Sequence, residues 1–421
     1  MISKTITETY VWVWLPNATE PVVAGRLQAI DGALQFNYGK SYLESVGGST
    51  STIALSPEEL PLKPGLLPLL DGLTMPGCLR DAAPDAWGRR VIMNRLLGSK
   101  GSNADTAQLD ELTYLASSGS DRIGALDFQQ SPTQYQPRST ENASLEELLE
   151  SAERVQQGIP LQPELDQALL HGSSIGGARP KALIEDNEVK YVAKFSISSD
   201  LYSIVKAEYI AMRLAKLVGL NVAPVTLASA ANKDVLLVER FDRHRSPNGW
   251  ERKLIISALS LFKLDEIHAR YASYETLAEI VRHRFINPKD TLKELFSRMV
   301  FNILSGNTDD HARNHAAFWD GENLSLTPAY DICPQGRTGN EASQAMLISG
   351  TNNLSQLQIC LNAAHNFLLS KEDAINIFDS QLSLIEKHWD TVCDEAELSI
   401  IDRNLLWRRQ FLNAWSIEFS S

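Results

Sequence analysis

Asn307-Thr308-Asp309-Asp310-His311-Ala312-Arg313-Asn314 is the stretch on which the reading of this chain turns. It sets an aspartate and an asparagine five residues apart, and a further aspartate follows at Asp331. In that order the three side chains suit one chemistry. The first carboxylate can take the proton of an attacking hydroxyl, while the carboxamide and the second carboxylate offer oxygens to a divalent cation that neutralises phosphate charge. The spacing to Asn314 selects Asp309 over its neighbour Asp310, which is expected to be exposed. One Asp-x4-Asn spacing arises often by chance, so its weight depends on what precedes it.

Upstream lies Ser173-Ser174-Ile175-Gly176-Gly177-Ala178-Arg179-Pro180-Lys181. Adjacent glycines let a backbone approach an anion and turn its N–H groups toward it, although a plain hairpin turn reads the same way. Residues 181–184 and 189–197 alternate about the turn 185–188 and predict a strand, turn and strand. Lys194 sits inside the apolar run Tyr191-Val192-Ala193-Lys194-Phe195, either as an edge lysine reaching solvent or as a phosphate contact. Residues 206–218 predict a helix with Ala207, Ile210, Ala211, Leu214, Ala215 and Val218 on one face. Glu208 falls in its first turn, where the helix dipole favours a carboxylate and where it could equally pair with the strand lysine. Gly219 closes this helix, Pro224 prevents its resumption, and residues 235–243 predict a further strand. Glycine loop, strand lysine, helix glutamate, edge strand, Asp-x4-Asn and metal aspartate follow one another in the order used by protein kinases.

These segments together resemble the HipA family of bacterial serine/threonine kinases, the toxin components of type II toxin–antitoxin pairs. The resemblance rests on the 174–181 loop, the 238–243 run and the 307–314 run. It extends to Pro76-Gly77-Cys78-Leu79-Arg80-Asp81-Ala82-Ala83-Pro84-Asp85-Ala86-Trp87-Gly88-Arg89-Arg90, similar to the family's Leu-Pro-Asp-x-Trp-Gly-Arg signature with Ala83 in place of leucine. Residues 34–42 with 56–66, and Arg122-Ile123-Gly124-Ala125-Leu126, resemble its N-terminal β-rich region.

The resemblance implies roles for particular positions. Asp309 would be the general base, Asn314 and Asp331 would hold Mg2+, and His311 would support the loop near the nucleotide. Lys194 would contact the phosphates of ATP, with Lys181 and the backbone of Gly176, Gly177 and Ala178 closing over them. Glu208 would pair with Lys194, Glu239 and Phe241 would lie at the adenine edge, and Ser174 would be the site of inactivating autophosphorylation. The implied partners are a translation-machinery protein as substrate and a separately encoded DNA-binding, HipB-like antitoxin, with DNA reached only through the antitoxin complex. Two departures stand out. Residues 253–259 read Lys-Leu-Ile-Ile-Ser-Ala-Leu where the family often carries a His-Glu-Asp-like element, and no Asp-Phe-Gly accompanies Asp331.

Composition is compatible with this reading. The chain has 421 residues, 43% of them hydrophobic and 22% charged, ordinary values for a globular protein. A net charge of −13 argues against broad DNA binding by the chain alone. Cys78, Cys333, Cys360 and Cys393 show no Cys-x-x-Cys pair, and the eight histidines show no ligand spacing. No apolar stretch suits a signal core or a membrane span, so a cytoplasmic location is expected. The expected fold is α+β, kinase-like and two-lobed, with a β-rich N-terminal lobe and a helical C-terminal lobe. Its expected parts are residues 1–142, a nucleotide-cradling segment 143–245, and helical residues 246–421. Residues 98–106 are expected as a linker, 245–249 as a polar break, and 402–419 as a last helix. A small-molecule kinase and an inactive antitoxin-binding corepressor are the rival readings.

Overall fold

Alternation of buried and solvent-facing side chains builds the first sheet. Strands β1 (Glu8–Val13), β2 (Val22–Ile30) and β3 (Ala33–Tyr38) form an antiparallel meander. Helix α1 (Ala86–Leu97) follows, and strand β4 (Leu126–Gln129) then pairs with the free edge of β1 to give the order β3-β2-β1-β4. Val11, Val13, Leu27, Phe36, Trp87 and Phe128 are fully buried. Ser144 and Glu147 form a capping box on helix α2 (Leu145–Gln156), whose Leu148, Leu149, Ala152 and Val155 make one buried stripe. The computed structural model describes residues 6–45, 52–97, 109–138, 143–159, 177, 179–186, 188–197 and 200–419. The expected linker 98–106 lies outside them.

The chain forms two units. One comprises Met1–Ile197, Ser229–Ile256 and Phe318–Glu322; the other comprises Ser198–Ala228, Ser257–Ala317 and Asn323–Ser421.

In the first unit, strands β5 (Lys181–Asp186) and β6 (Val189–Phe195) form the expected hairpin, and β7 (Lys233–Glu239) pairs antiparallel with β6. The strand expected over 235–243 stops at Glu239. Arg240 turns back instead, its guanidinium gripping the Asp242 carboxylate at 2.9 and 2.8 Å. Strands β8 (Arg243–Ser246) and β9 (Gly249–Arg252) then pair with Ser246 opposite Gly249. Residues 245–249 are therefore a tight hairpin, not a break, because two residues suffice to reverse the chain.

Asp121, Arg240, Asp242 and Arg243 form an ion cluster under this hairpin. Arg243 binds Asp121 at 2.8 Å and Asp242 at 2.9 Å, and Arg240 binds Asp121 at 3.1 Å. Gly124 N–H donates to Asp242 Oδ2 at 2.7 Å, so the cluster also fixes the turn that leads into β4. The short piece Phe318–Glu322 joins the same unit, with Trp319 Nε1 donating to the Ala54 carbonyl at 2.7 Å.

The second unit is helical. Helix α3 (Ile204–Leu217), capped by Ser203, lies against the helix Lys371–Glu395, and Arg213 on α3 pairs with Glu395 at 3.0 Å. Helices α4 (Tyr274–Arg284), α5 (Pro288–Ser305) and α6 (Lys371–Glu395) follow. Phe296 packs on Phe367 and Phe378 at the centre of their contact.

The last helix expected over 402–419 is absent. Helix α7 (Ile400–Leu406) ends, Arg408 and Leu412 take left-handed backbone angles (φ 61° and 51°), and a short α8 (Ala414–Ile417) follows. The turn between them has a packing reason. Trp407 stacks on Trp389 at 4.7 Å, and Leu412 N–H bonds the Leu304 carbonyl at 2.8 Å. Among the described residues no helix is long and apolar enough to cross a membrane, and all four cysteines are free.

The ion cluster sets an acid response. Burial alone would raise the Asp121 carboxyl, but Arg240, Arg243, Lys190 and Arg252 hold it well below the usual carboxylate range. Burial opposes Arg240 and Arg243 at Asp242 in the same way, with the same downward result. A carboxyl depressed on folding contributes stability above its unfolded value of about 4, and that contribution is lost as pH falls below it. Unfolding followed by urea titration should therefore show stability falling on the acid side of about pH 4. Asp242→Asn should cost about 3–5 kcal/mol at neutral pH and flatten this acid limb. An unchanged limb in the variant would contradict the assignment.

Candidate functional site

Helix α5 delivers the chain to the 307–314 loop through Gly306, which takes φ 72° and ends the helix. Only glycine fits there. A Cβ would lie 2.6 Å from the Gln410 carbonyl oxygen, so the turn after α7 packs directly onto the start of the loop. Asn307 is held by its Nδ2 bond to Asn302 Oδ1 at 3.0 Å, and Thr308 O accepts from Ala345 N at 3.1 Å.

Within the loop, His311 N–H donates to the Asp309 carbonyl at 2.9 Å and Asn314 N–H to the His311 carbonyl at 2.8 Å. Asn314 Nδ2 then donates to the same Asp309 carbonyl at 3.0 Å. That bond fixes the carboxamide and leaves its oxygen on the opposite side. Asp331 adopts a left-handed φ of 58° two residues after Ala329, whose N–H bonds Asn221 O at 2.8 Å. Tyr330 Oη donates to the Arg313 carbonyl at 2.7 Å and ties this segment to the loop. Behind it the buried Arg298 binds the Asn221 and Thr327 carbonyls at 3.0 and 2.9 Å.

Asp309 is exposed, yet desolvation raises its carboxyl above the usual range; His311 pulls it down, and the charges of Asp331 and Asp310 raise it again. The oxygen donors of Asn314 and Asp331 are of the kind that magnesium takes.

Asp310 is not exposed, contrary to the expectation from sequence. It is 1% exposed, because the Tyr274 hydroxyl donates to its Oδ2 and His315 Nε2 meets its Oδ1 at 2.8 Å. Tyr274 Oη also lies 3.1 Å from His315 Nε2. Asp310 and His315 repeat the Asp309–Asn314 spacing one residue later, a signal available in the sequence; Tyr274 carries no local mark.

In the first unit, Lys181 on β5 stands directly opposite Lys194 on β6 in the antiparallel register. Directly opposed side chains share a sheet face, where like charges repel; a polyanion relieves that repulsion. Lys181 is buried and Lys194 half-buried. Gly177 takes φ 100°, and a Cβ there would overlap Lys181 Nζ. Glu239 ends β7 opposite Tyr191, and Phe241 meets Phe318 edge to face at 5.9 Å. Glu208 is buried on α3 of the second unit. Ser174, Gly176 and Ala178 lie outside the described residues.

A family model described as the HipA-like C-terminal domain matches residues 173–389, just over half of the chain, and one described as the HipA N-terminal domain matches 13–129. The chain belongs to the HipA family. Y4mE of Sinorhizobium fredii, which carries a kinase name, is 26% identical over 58% of this chain and 60% of its own. The serine/threonine-protein kinase toxin HipA of Shewanella oneidensis is 28% identical over 38% of this chain and 42% of its own. The chain thus spans less than two thirds of these relatives. A solved Shewanella oneidensis complex of HipA, HipB and operator DNA contains a chain with TM-score 0.65 and 19% identity, covering 94% of this chain and 97% of that one. The α+β HipA fold is thereby shared through almost the whole length.

Within this HipA-family fold, the Tyr274–Asp310–His315 group carries a stability prediction. Tyr274→Phe removes one donor from a buried carboxylate and should cost about 1–3 kcal/mol. A urea midpoint equal to that of the parent protein would show the hydroxyl to be unimportant.

Proposed function

We propose that this chain is an ATP- and Mg2+-dependent serine/threonine protein kinase, the toxin of a type II toxin–antitoxin pair. The observation that carries the reading is the 307–314 loop. It holds a solvent-facing carboxylate of raised affinity for protons, Asp309, beside a carboxamide fixed with its oxygen free at Asn314.

The roles follow from the chemistry. Phosphoryl transfer asks little covalent work of a protein and depends on positioning and charge neutralisation. Asp309 orients the substrate hydroxyl and accepts its proton. Asn314 and Asp331 would hold magnesium, which supplies positive charge to the phosphates when bound. Lys181 and Lys194 add fixed positive charge on one sheet face, and the backbone of Gly176, Gly177 and Ala178 covers the phosphates. Glu208 orients Lys194, while Glu239 and Phe241 border the adenine. His311 moderates the Asp309 carboxyl, as its downward effect on that group suggests.

Ser174 is proposed as the autophosphorylation site that switches the enzyme off, and a cytosolic protein of the translation machinery as the substrate. The partner is a HipB-like antitoxin, through which operator DNA would be reached; the likeness to a chain from a HipA–HipB–DNA complex supports this, and the net charge of −13 agrees with indirect DNA contact.

Intact-mass and phosphopeptide analysis of dephosphorylated protein, after incubation with ATP and magnesium, tests the reading. One phosphate on Ser174 is expected in the parent protein, at a rate about 10²–10⁴-fold lower in Asp309→Asn. No transfer to itself or to translation proteins, with antitoxin binding retained, would instead identify an inactive binding protein.

A further inference from the structure

The Pro84–Arg89 signature is joined to the glycine loop by three hydrogen bonds. Asp85 Oδ2 accepts the Gly177 N–H at 2.6 Å, and the Trp87 N–H donates to the Gly177 carbonyl at 3.1 Å. Trp87 Nε1 donates to the Lys181 carbonyl at 3.0 Å. Both backbone polar groups of Gly177 are thus held from one corner, and the Lys181 ammonium rests where a side chain on Gly177 would be.

The corner is itself braced. Arg89 Nε donates to the Pro84 carbonyl at 3.0 Å, its guanidinium pairs with Glu111 at 2.6 Å, and it covers the Tyr114 ring at 4.5 Å. Trp87 is fully buried. Asp85 stands just before α1, the place where an aspartate ordinarily caps its own helix. Its carboxylate reaches an amide 92 residues away, so helix capping alone does not explain it.

We propose that Asp85 and Trp87 are positioning residues for the nucleotide loop: by gripping Gly177 they set the place of Lys181 and hence the affinity for the ATP phosphates. The inference rests on the kinase reading above for its effect on nucleotide, but the grip itself does not. A carboxylate-to-amide bond is among the stronger hydrogen bonds, and its loss frees the glycine to sample other backbone angles.

The test compares Asp85→Ala with Asp85→Asn, which keeps an acceptor oxygen. In nucleotide-free protein, hydrogen exchange at the Gly177 amide should quicken about tenfold or more in Asp85→Ala and stay near the parent rate in Asp85→Asn. With ATP and magnesium, Asp85→Ala should raise KM for ATP about tenfold while kcat changes little, and Asp85→Asn should restore most of the loss. Equal amide exchange in all three proteins would overturn the grip. Faster exchange without a change in KM would overturn its link to nucleotide. A fall in kcat at constant KM, with a lowered unfolding midpoint, would reduce Asp85 to a structural support. If the parent protein neither binds nor turns over ATP, the kinase reading fails, and the exchange comparison still decides the grip.

Discussion

Two arginines and two aspartates taken out of water together govern the first unit. Arg240 and Arg243 come from the end of β7 and the start of β8, Asp121 from the turn before β4, and Asp242 from between the arginines. None of these charges could be buried alone. Desolvating one costs several kcal/mol, and only a partner in good geometry offsets it. The strand must therefore end where it does, and the turn at Gly124 must come to meet it. Such a cluster is weak evidence for high stability; its effect is to make one arrangement of the two sheets' connecting turns far better than its competitors.

The 307–314 loop uses neighbouring residues for opposite purposes. Asp309 meets solvent while Asp310 enters the core, and five residues later Asn314 braces the loop from within while His315 reaches Asp310. One layer faces outward and the layer behind it prevents the backbone from drifting. The bond from Asn314 to the Asp309 carbonyl joins the two ends of the loop.

Periodicity carried most of the helices into view. The segment 206–218 corresponds to Ile204–Leu217, and Ser144 with Glu147 closes the start of α2, because local spacing and end chemistry decide these elements. What escaped was set by distant contacts. The apolar pattern runs on past Leu406, but Trp407 is drawn onto Trp389, and Arg408 and Leu412 carry no glycine to announce their left-handed angles. Asp310 looked exposed because its partner Tyr274 lies 36 residues upstream. The hydrogen bonds that join Asp85 and Trp87 with Gly177 were equally invisible: a signature can be recognised by spacing without its purpose being readable.

The short piece Phe318–Glu322 bears on how the molecule is made. Trp319 fastens to Ala54, and Gly321 lies so close to Ile53 that no larger residue would fit, yet more than 250 residues separate the two strips of chain. A ribosome releases the protein from one end at about 5–20 residues per second. The first unit must therefore wait, with this strip of surface uncovered, for several seconds after Ile256 has emerged. By the time Trp319 arrives the 307–314 loop has been synthesised too, so the first unit is not finished before that loop has been made.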